Sequence, residues 1–249
     1  MRALAVLVLM LAALTARAEE IVLGLSDDRV ALTVTFDGQD LLVFGAVSRT
    51  APPPPGELGV IVTVSGPRLP VMVRKQARVA GIWVNAEEAL VDAAPSFYAV
   101  ATNRPLAEIL SSVEDLRQSI TIPRAIRSVG NEVANSGDFT EALIRVRRAD
   151  DLYRVREGAV ALEAETLFRT RFSLPANLIE GNYDVRIFLT RGGAVIDRTE
   201  TLIGVQKVGV ERWLYNLAQE MAWAYGLLAL SLAILAGWGA SAAFRLIRS

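Results

Sequence analysis

The stretch Tyr183-Asp184-Val185-Arg186-Ile187-Phe188-Leu189-Thr190-Arg191-Gly192-Gly193-Ala194-Val195-Ile196-Asp197 decides the fold. Tyr183, Val185, Ile187 and Leu189 recur with a period of two, which puts them on one face of an extended chain. Gly192-Gly193 then supplies a tight turn, and Val195 to Lys207 returns as a second strand. A β-hairpin closing a sandwich is the expectation here.

Upstream, the same period recurs. Leu162, Ala164, Phe168 and Phe172 fall on one side of a strand, with Glu163, Glu165, Arg169 and Arg171 largely on the other. Val60, Val62 and Val64 alternate and stop at Gly66-Pro67; Val71 and Val73 follow, then Val79 to Asn85 with Trp83. Val30, Leu32, Val34 and Phe36 alternate as well, and Asp37-Gly38 before Leu41 to Val47 predicts another hairpin. Pro52 to Pro55 reads as a stiff polyproline loop.

Two helices are expected among these strands. Pro105 opens the first, with Leu106, Ile109, Leu110 and Val113 on one face. The second starts near Asp138, whose spacing from Glu141 resembles a capping box, and Phe139, Ala142, Leu143 and Val146 form its apolar stripe.

The ends read differently. Met1 to Ala18 has Arg2, an apolar run from Leu4 to Leu14, and small residues at Ala16 and Ala18, the pattern of a signal peptide cleaved before Glu19. Ala222 to Phe244 contains no charged residue, and about 23 helical residues reach roughly 34 Å, so a membrane-crossing helix is predicted over 222–244. Trp213, Tyr215, Trp223 and Tyr225 stand where an aromatic belt would lie, while Arg245 and Arg248 follow, which puts the tail in the cytoplasm. Ala229, Ala233, Gly237 and Ser241 recur every fourth residue, a face on which another helix could dock.

The predicted class is therefore mainly β: one or two immunoglobulin-like β-sandwich domains with two intervening helices, plus one C-terminal transmembrane helix. The expected divisions are a signal peptide at 1–18, a sandwich at 19–103, a connecting helix at 104–118, and a second sandwich at 119–208 containing a helix at 138–152. A juxtamembrane amphipathic helix at 209–221, the membrane helix and a cytoplasmic tail at 245–249 complete the scheme.

Composition narrows the chemistry. With no Cys and no His, the chain can form no disulfide, Cys/His zinc site, thiol nucleophile or Ser-His-Asp triad. Lys and Arg number 26 against 27 acidic residues, so the excess of basic charge that nucleic-acid binding needs is missing. Asp27-Asp28, Asp150-Asp151 and Glu163/Glu165 are the acidic clusters, and none has the spacing of a calcium loop. No catalytic residue, cofactor or metal is assigned. The candidates for interaction are Arg145, Arg147 and Arg148 as an anion or acidic-patch site, Trp83 as an interface anchor, and Ala233, Gly237 and Ser241 as a helix-docking face.

Ile82-Trp83-Val84-Asn85, Leu167-Phe168-Arg169-Thr170, Leu174-Pro175-Ala176-Asn177 and the run from Lys207 through Glu211-Arg212-Trp213-Leu214-Tyr215 to Tyr225-Gly226-Leu227-Leu228 resemble an uncharacterised family of alphaproteobacterial transmembrane proteins. The resemblance covers nearly all of the chain after the signal, implies the same topology and carries no catalytic residues with it. The expected function is a non-enzymatic, membrane-anchored periplasmic accessory or interaction protein, with the lipid bilayer and a membrane or envelope protein as partners. The alternatives are a carboxylate- or cation-dependent envelope hydrolase and an extracytoplasmic ligand sensor that signals through a partner. The expected location is the bacterial inner membrane, single pass, with most of the chain periplasmic and the C-terminus cytoplasmic.

Overall fold

The structure is a computed structural model that describes residues 19–26, 29–32, 38–50, 52–53, 55–79, 81–127, 136–207, 217–219 and 221–247. The signal segment, Asp27-Asp28 and nearly all of 209–221 lie outside the described residues. Two compact units are present, one of residues 1–30 and 37–205, the other of 31–36 and 206–249.

The first unit is mainly β, as expected. Strands β1 (Glu19–Leu25), β3 (Gln39–Arg49), β10 (Leu167–Leu174) and β9 (Ala161–Glu163) form a four-stranded sheet in the order β1-β3-β10-β9. A six-stranded sheet runs β2 (Arg29–Leu32), β12 (Ala194–Lys207), β11 (Gly181–Arg191), β4 (Leu58–Ser65), β7 (Tyr98–Thr102), β8 (Tyr153–Arg156). β5 (Arg68–Val79) and β6 (Ile82–Pro95) pair with each other as a ribbon.

The β11–β12 hairpin forms with the predicted turn, and Gly192 and Gly193 adopt φ +55° and +81°, conformations that favour glycine. The expected hairpin of Val30 with Leu41 to Val47 does not form. β1 takes the place beside β3, and β2 belongs to the other sheet. Alternation identifies a strand but is silent about its partner.

β4 is buried along its whole length, so the alternation of its valines is not an in-out pattern. One face, with Val60, Val62, Val185, Ile187 and Leu189, faces the four-stranded sheet, whose Val43, Phe168 and Phe172 are buried opposite. The other face, with Ile61, Arg186, Phe188 and Tyr98, lies under short helices α1 (Leu106–Ile109), α2 (Ser112–Gln118) and α3 (Ile122–Ala125). Arg186 Nη1 donates to the Gln118 carbonyl at 2.9 Å, and the Tyr98 hydroxyl donates to the Ile120 carbonyl at 2.8 Å. Here a cation and a phenol satisfy carbonyls that the end of α2 leaves open.

Three expectations are corrected. Both sheets take strands from before 104 and after 118, since β3 pairs with β10 and β4 with β11; the two strand groups share one core rather than forming separate sandwiches. The single helix at 104–118 is broken at Leu110, which is extended, and Ser111 starts a new helix by accepting a hydrogen bond from the Glu114 amide at 3.3 Å. That break shifts the phase, leaving Val113 exposed while Ile109 and Leu110 are buried. The sheet order with its parallel β7–β8 pair also departs from an immunoglobulin arrangement. The expected helix at 138–152 is observed as α4 (Ser136–Ala149), so Asp138 sits inside its first turn rather than at the cap.

The second unit contains α5 (Ala222–Ile247). Among the described residues, no helix is long and apolar enough to cross a membrane, which overturns the predicted transmembrane helix at 222–244.

The two sheets of the first unit are joined by a buried charge cluster. Glu19, 3% exposed at the start of β1, receives Arg191 Nε at 2.9 Å and Nη2 at 2.8 Å, a two-pronged contact from the six-stranded sheet. Arg49 Nε from β3 adds a third bond at 2.8 Å. The Arg191 guanidinium, followed by burial acting the other way and then by Arg49, holds the Glu19 carboxyl below the usual carboxylate range. A depressed folded-state pKa means stabilisation that is complete above the unfolded pKa and is lost as pH falls through the folded one. Glu19→Gln is therefore expected to cost about 3–5 kcal/mol at neutral pH, because it strands a buried guanidinium. In urea titrations the gap from the wild type should narrow as pH drops below the ordinary carboxylate range; a constant gap would show that the charge is not what joins the sheets.

Candidate functional site

The ribbon β5–β6 sets the geometry of the site. Its base is buried at Ala89, Val91 and Ala94, while Arg74 Nε lies 3.4 Å from Glu88 Oε2 and Lys75 Nζ lies 3.7 Å from Glu87 Oε2 across the exposed shaft. Such exposed pairs contribute little stability, but they fix register and keep this level of the ribbon neutral. Val79 pairs with Ile82, and Gly81 takes φ +89° before β6 begins. At the tip, Ile82 and Trp83 are 66% and 67% exposed. Trp83 thus stands on the surface, away from the core.

Helix α4 lies beside the shaft. Phe139 and Leu143 are buried and fix it to the body. Between α4 and β5 opens a cleft of about 540 Å³ lined by Val73, Arg74, Lys75, Gln76, Asp138, Phe139, Glu141, Ala142 and Arg145. Its floor is apolar and its rim carries both signs of charge.

Helix α4 separates Arg147 from the other two arginines. Arg145 is exposed and lines the cleft. Arg147 is half-buried and near enough to Tyr153 to oppose the rise in that phenol, which burial nonetheless pushes up to about 12. Arg148 is exposed and lies outside the cleft lining. Arg147, at i+2, lies about 200° round the helix from Arg145, whereas Arg148, at i+3, shares the side of Arg145 one turn further on.

The acidic pairs are also dispersed. Asp151 lies 3.4 Å from Arg154 Nε. Glu163 ends β9, whereas Glu165 sits in a turn at φ +50° behind Ala164 at +48°, so the two do not share a strand face. Arg49 Nη2 donates to the Glu165 carbonyl at 2.5 Å and steadies that strained turn. No group of acidic residues suited to a metal ion occurs among the described residues. Ala233 and Gly237 on α5 are exposed, and nothing lies within 4 Å of a Cβ placed on Gly237; the Ser241 side chain is outside the described residues.

Sequence reading missed Arg191, Glu19 and the second N-cap. Only the cap had a local signal, the spacing Ser111 to Glu114.

The fold and site define a mainly β protein with an exposed ribbon beside a mixed-charge cleft. The chain belongs to the family described as "Putative transmembrane protein (Alph_Pro_TM)", whose model matches residues 20–246. That description associates the family with membranes. No curated protein matches the chain. Among solved structures, it is similar to the sporulation control protein Spo0M from Bacillus subtilis, with 10% identity, 82% of this chain and 56% of that chain covered, and a TM-score of 0.28. A likeness that slight carries neither fold nor function across.

The exposure of the tip predicts that Trp83→Ser will change stability by no more than about 0.5 kcal/mol, whereas Phe188→Ala, in the centre of β11, should cost about 3–5 kcal/mol. Paired denaturant titrations check this; comparable losses for the two variants would put Trp83 in a core.

Proposed function

We propose that this chain is a membrane-associated accessory protein that binds a protein of the membrane or envelope and lies mostly on the extracytoplasmic side. Export is supported by the signal pattern of 1–18, and membrane association by the family description.

The observation that carries the binding role is the cleft between β5 and α4. Val73, Phe139 and Ala142 give an apolar centre, while Arg74, Lys75, Asp138, Glu141 and Arg145 give a charged rim. Protein interfaces have this anatomy: the centre supplies burial, and the rim supplies register and selectivity. Both walls are regular elements fixed to one body, so the cleft is pre-organised, which limits the entropy lost on docking. Arg145 is the rim residue most suited to an acidic patch on the partner, because its guanidinium can form two parallel hydrogen bonds with a carboxylate.

Affinity purification of the full chain from mild detergent tests the proposal. The wild type should recover the same membrane or envelope protein reproducibly in near-equal amount. Arg145→Glu, which reverses charge on an exposed position, should lower that recovery about tenfold, a loss of about 1.4 kcal/mol. Recovery of the wild-type chain alone, or a partner retained equally by Arg145→Glu, would contradict it.

A further inference from the structure

We propose that the tip of the β5–β6 ribbon inserts into the headgroup region of a bilayer containing anionic phospholipid, with Ile82 and Trp83 entering the apolar boundary and Arg78 engaging lipid phosphate. The inference rests on the ribbon and is independent of the cleft.

Three features point to lipid. The first is that the tip is apolar on both faces. Arg78 pairs with Trp83 and Val79 with Ile82 across the ribbon, so Trp83 and Ile82, being adjacent, project to opposite sides. A ribbon that docks in a protein groove needs one apolar face; one that enters a surrounding medium needs two. Both residues are about two-thirds exposed, at 67% and 66%, so no described part of the chain covers either.

Charge supplies the second feature. From Gln76 to Ala86 the one charged residue is Arg78. The first carboxylates below the tip, Glu87 and Glu88, stand across from Lys75 and Arg74 and are matched by them. The shaft is therefore neutral and the tip carries a single positive charge, complementary to phosphate on an anionic membrane. Arg78 is exposed, and its Nε lies 3.4 Å from the Gly81 carbonyl, which keeps the guanidinium at the level of the turn. Its remaining N–H groups have the fork geometry that suits a phosphate.

The third is reach. The cleft beside α4 ends at Gln76, and the strand runs on to Val79, which at about 3.4 Å per residue carries the turn roughly 10 Å further out. Apolar faces that bind membrane interfaces bury to about 5–10 Å, and Trp is enriched at that depth because its ring is apolar and its N–H is not. A tip this small binds weakly alone and acts as a second attachment for a protein already at the membrane.

The chain contains no cysteine, so single labels can be placed without altering anything else. The full chain carrying Ile82→Cys labelled with NBD should be reconstituted into vesicles of phosphatidylethanolamine and phosphatidylglycerol containing doxyl-labelled phospholipid. Emission from position 82 should shift to the blue and lose most of its intensity by quenching. A label at Arg124→Cys, exposed on α3, should keep its intensity. Adding Trp83→Ser should restore most of the lost emission, and adding Arg78→Gln should weaken quenching in phosphatidylglycerol vesicles while leaving it unchanged in vesicles of phosphatidylcholine alone. Quenching at 82 no greater than at 124, or quenching indifferent to Trp83→Ser, would overturn the proposal. No other protein is present, so a failed partner capture leaves this result unaffected.

Discussion

A buried carboxylate ties the two sheets together. Glu19 sits at 3% exposure between Arg191, from the six-stranded sheet, and Arg49, from its own. A charge that far from water is tolerated only when it is paired and fully hydrogen-bonded, and the contact from Arg191 meets that need. Arg191 also donates to the Gly56 carbonyl, and Glu165 approaches both guanidinium groups at 3.7 Å. The cluster thus fixes the first strand, the loop before β4 and the strained turn before β10 against one another. The Ile21 amide, donating to Asp197 Oδ2 at 2.9 Å, makes a second tie between the sheets.

The ribbon and the cleft both stand on that body. With β4 and β11 buried on both faces, the six-stranded sheet is a rigid middle layer between the second sheet and the short helices. The ribbon leaves this layer directly, since β4 turns into β5 at Gly66-Pro67 and β6 returns to β7. Its base is therefore as firm as the core while its outer half packs on nothing described. Helix α4 flanks the shaft and converts one side of it into a cleft. A stiff base with an exposed end suits a device that presents side chains at a distance from the protein.

How much of this was legible in the sequence depended on whether the signal was local. The β11–β12 hairpin was, because alternation and Gly192-Gly193 lie within one short stretch. Partner choice was not: Val30 to Phe36 predicted a hairpin with Leu41 to Val47, yet β1 fills that place. The burial of Arg191 and Glu19 was hidden for the same reason, as the residues are 172 apart and each reads as ordinary surface charge. The break at Leu110 could have been read from Ser111 and Glu114. For the candidate site, sequence offered Trp83 and the arginines of α4 as candidates; the structure exposes Trp83 and Arg145 and turns Arg147 away from Arg145, a separation that proximity along the chain conceals.

The central claim is that strands from both halves of the chain make one core from which the ribbon tip projects. Hydrogen exchange followed by mass spectrometry on the full chain measures this directly. Strands 39–49, 58–65, 167–174 and 181–191 should lose protection together as denaturant is raised, with residues 76–86 exchanging rapidly from the outset. Separate opening of 19–103 and 119–207, each with its own denaturant dependence, would contradict it.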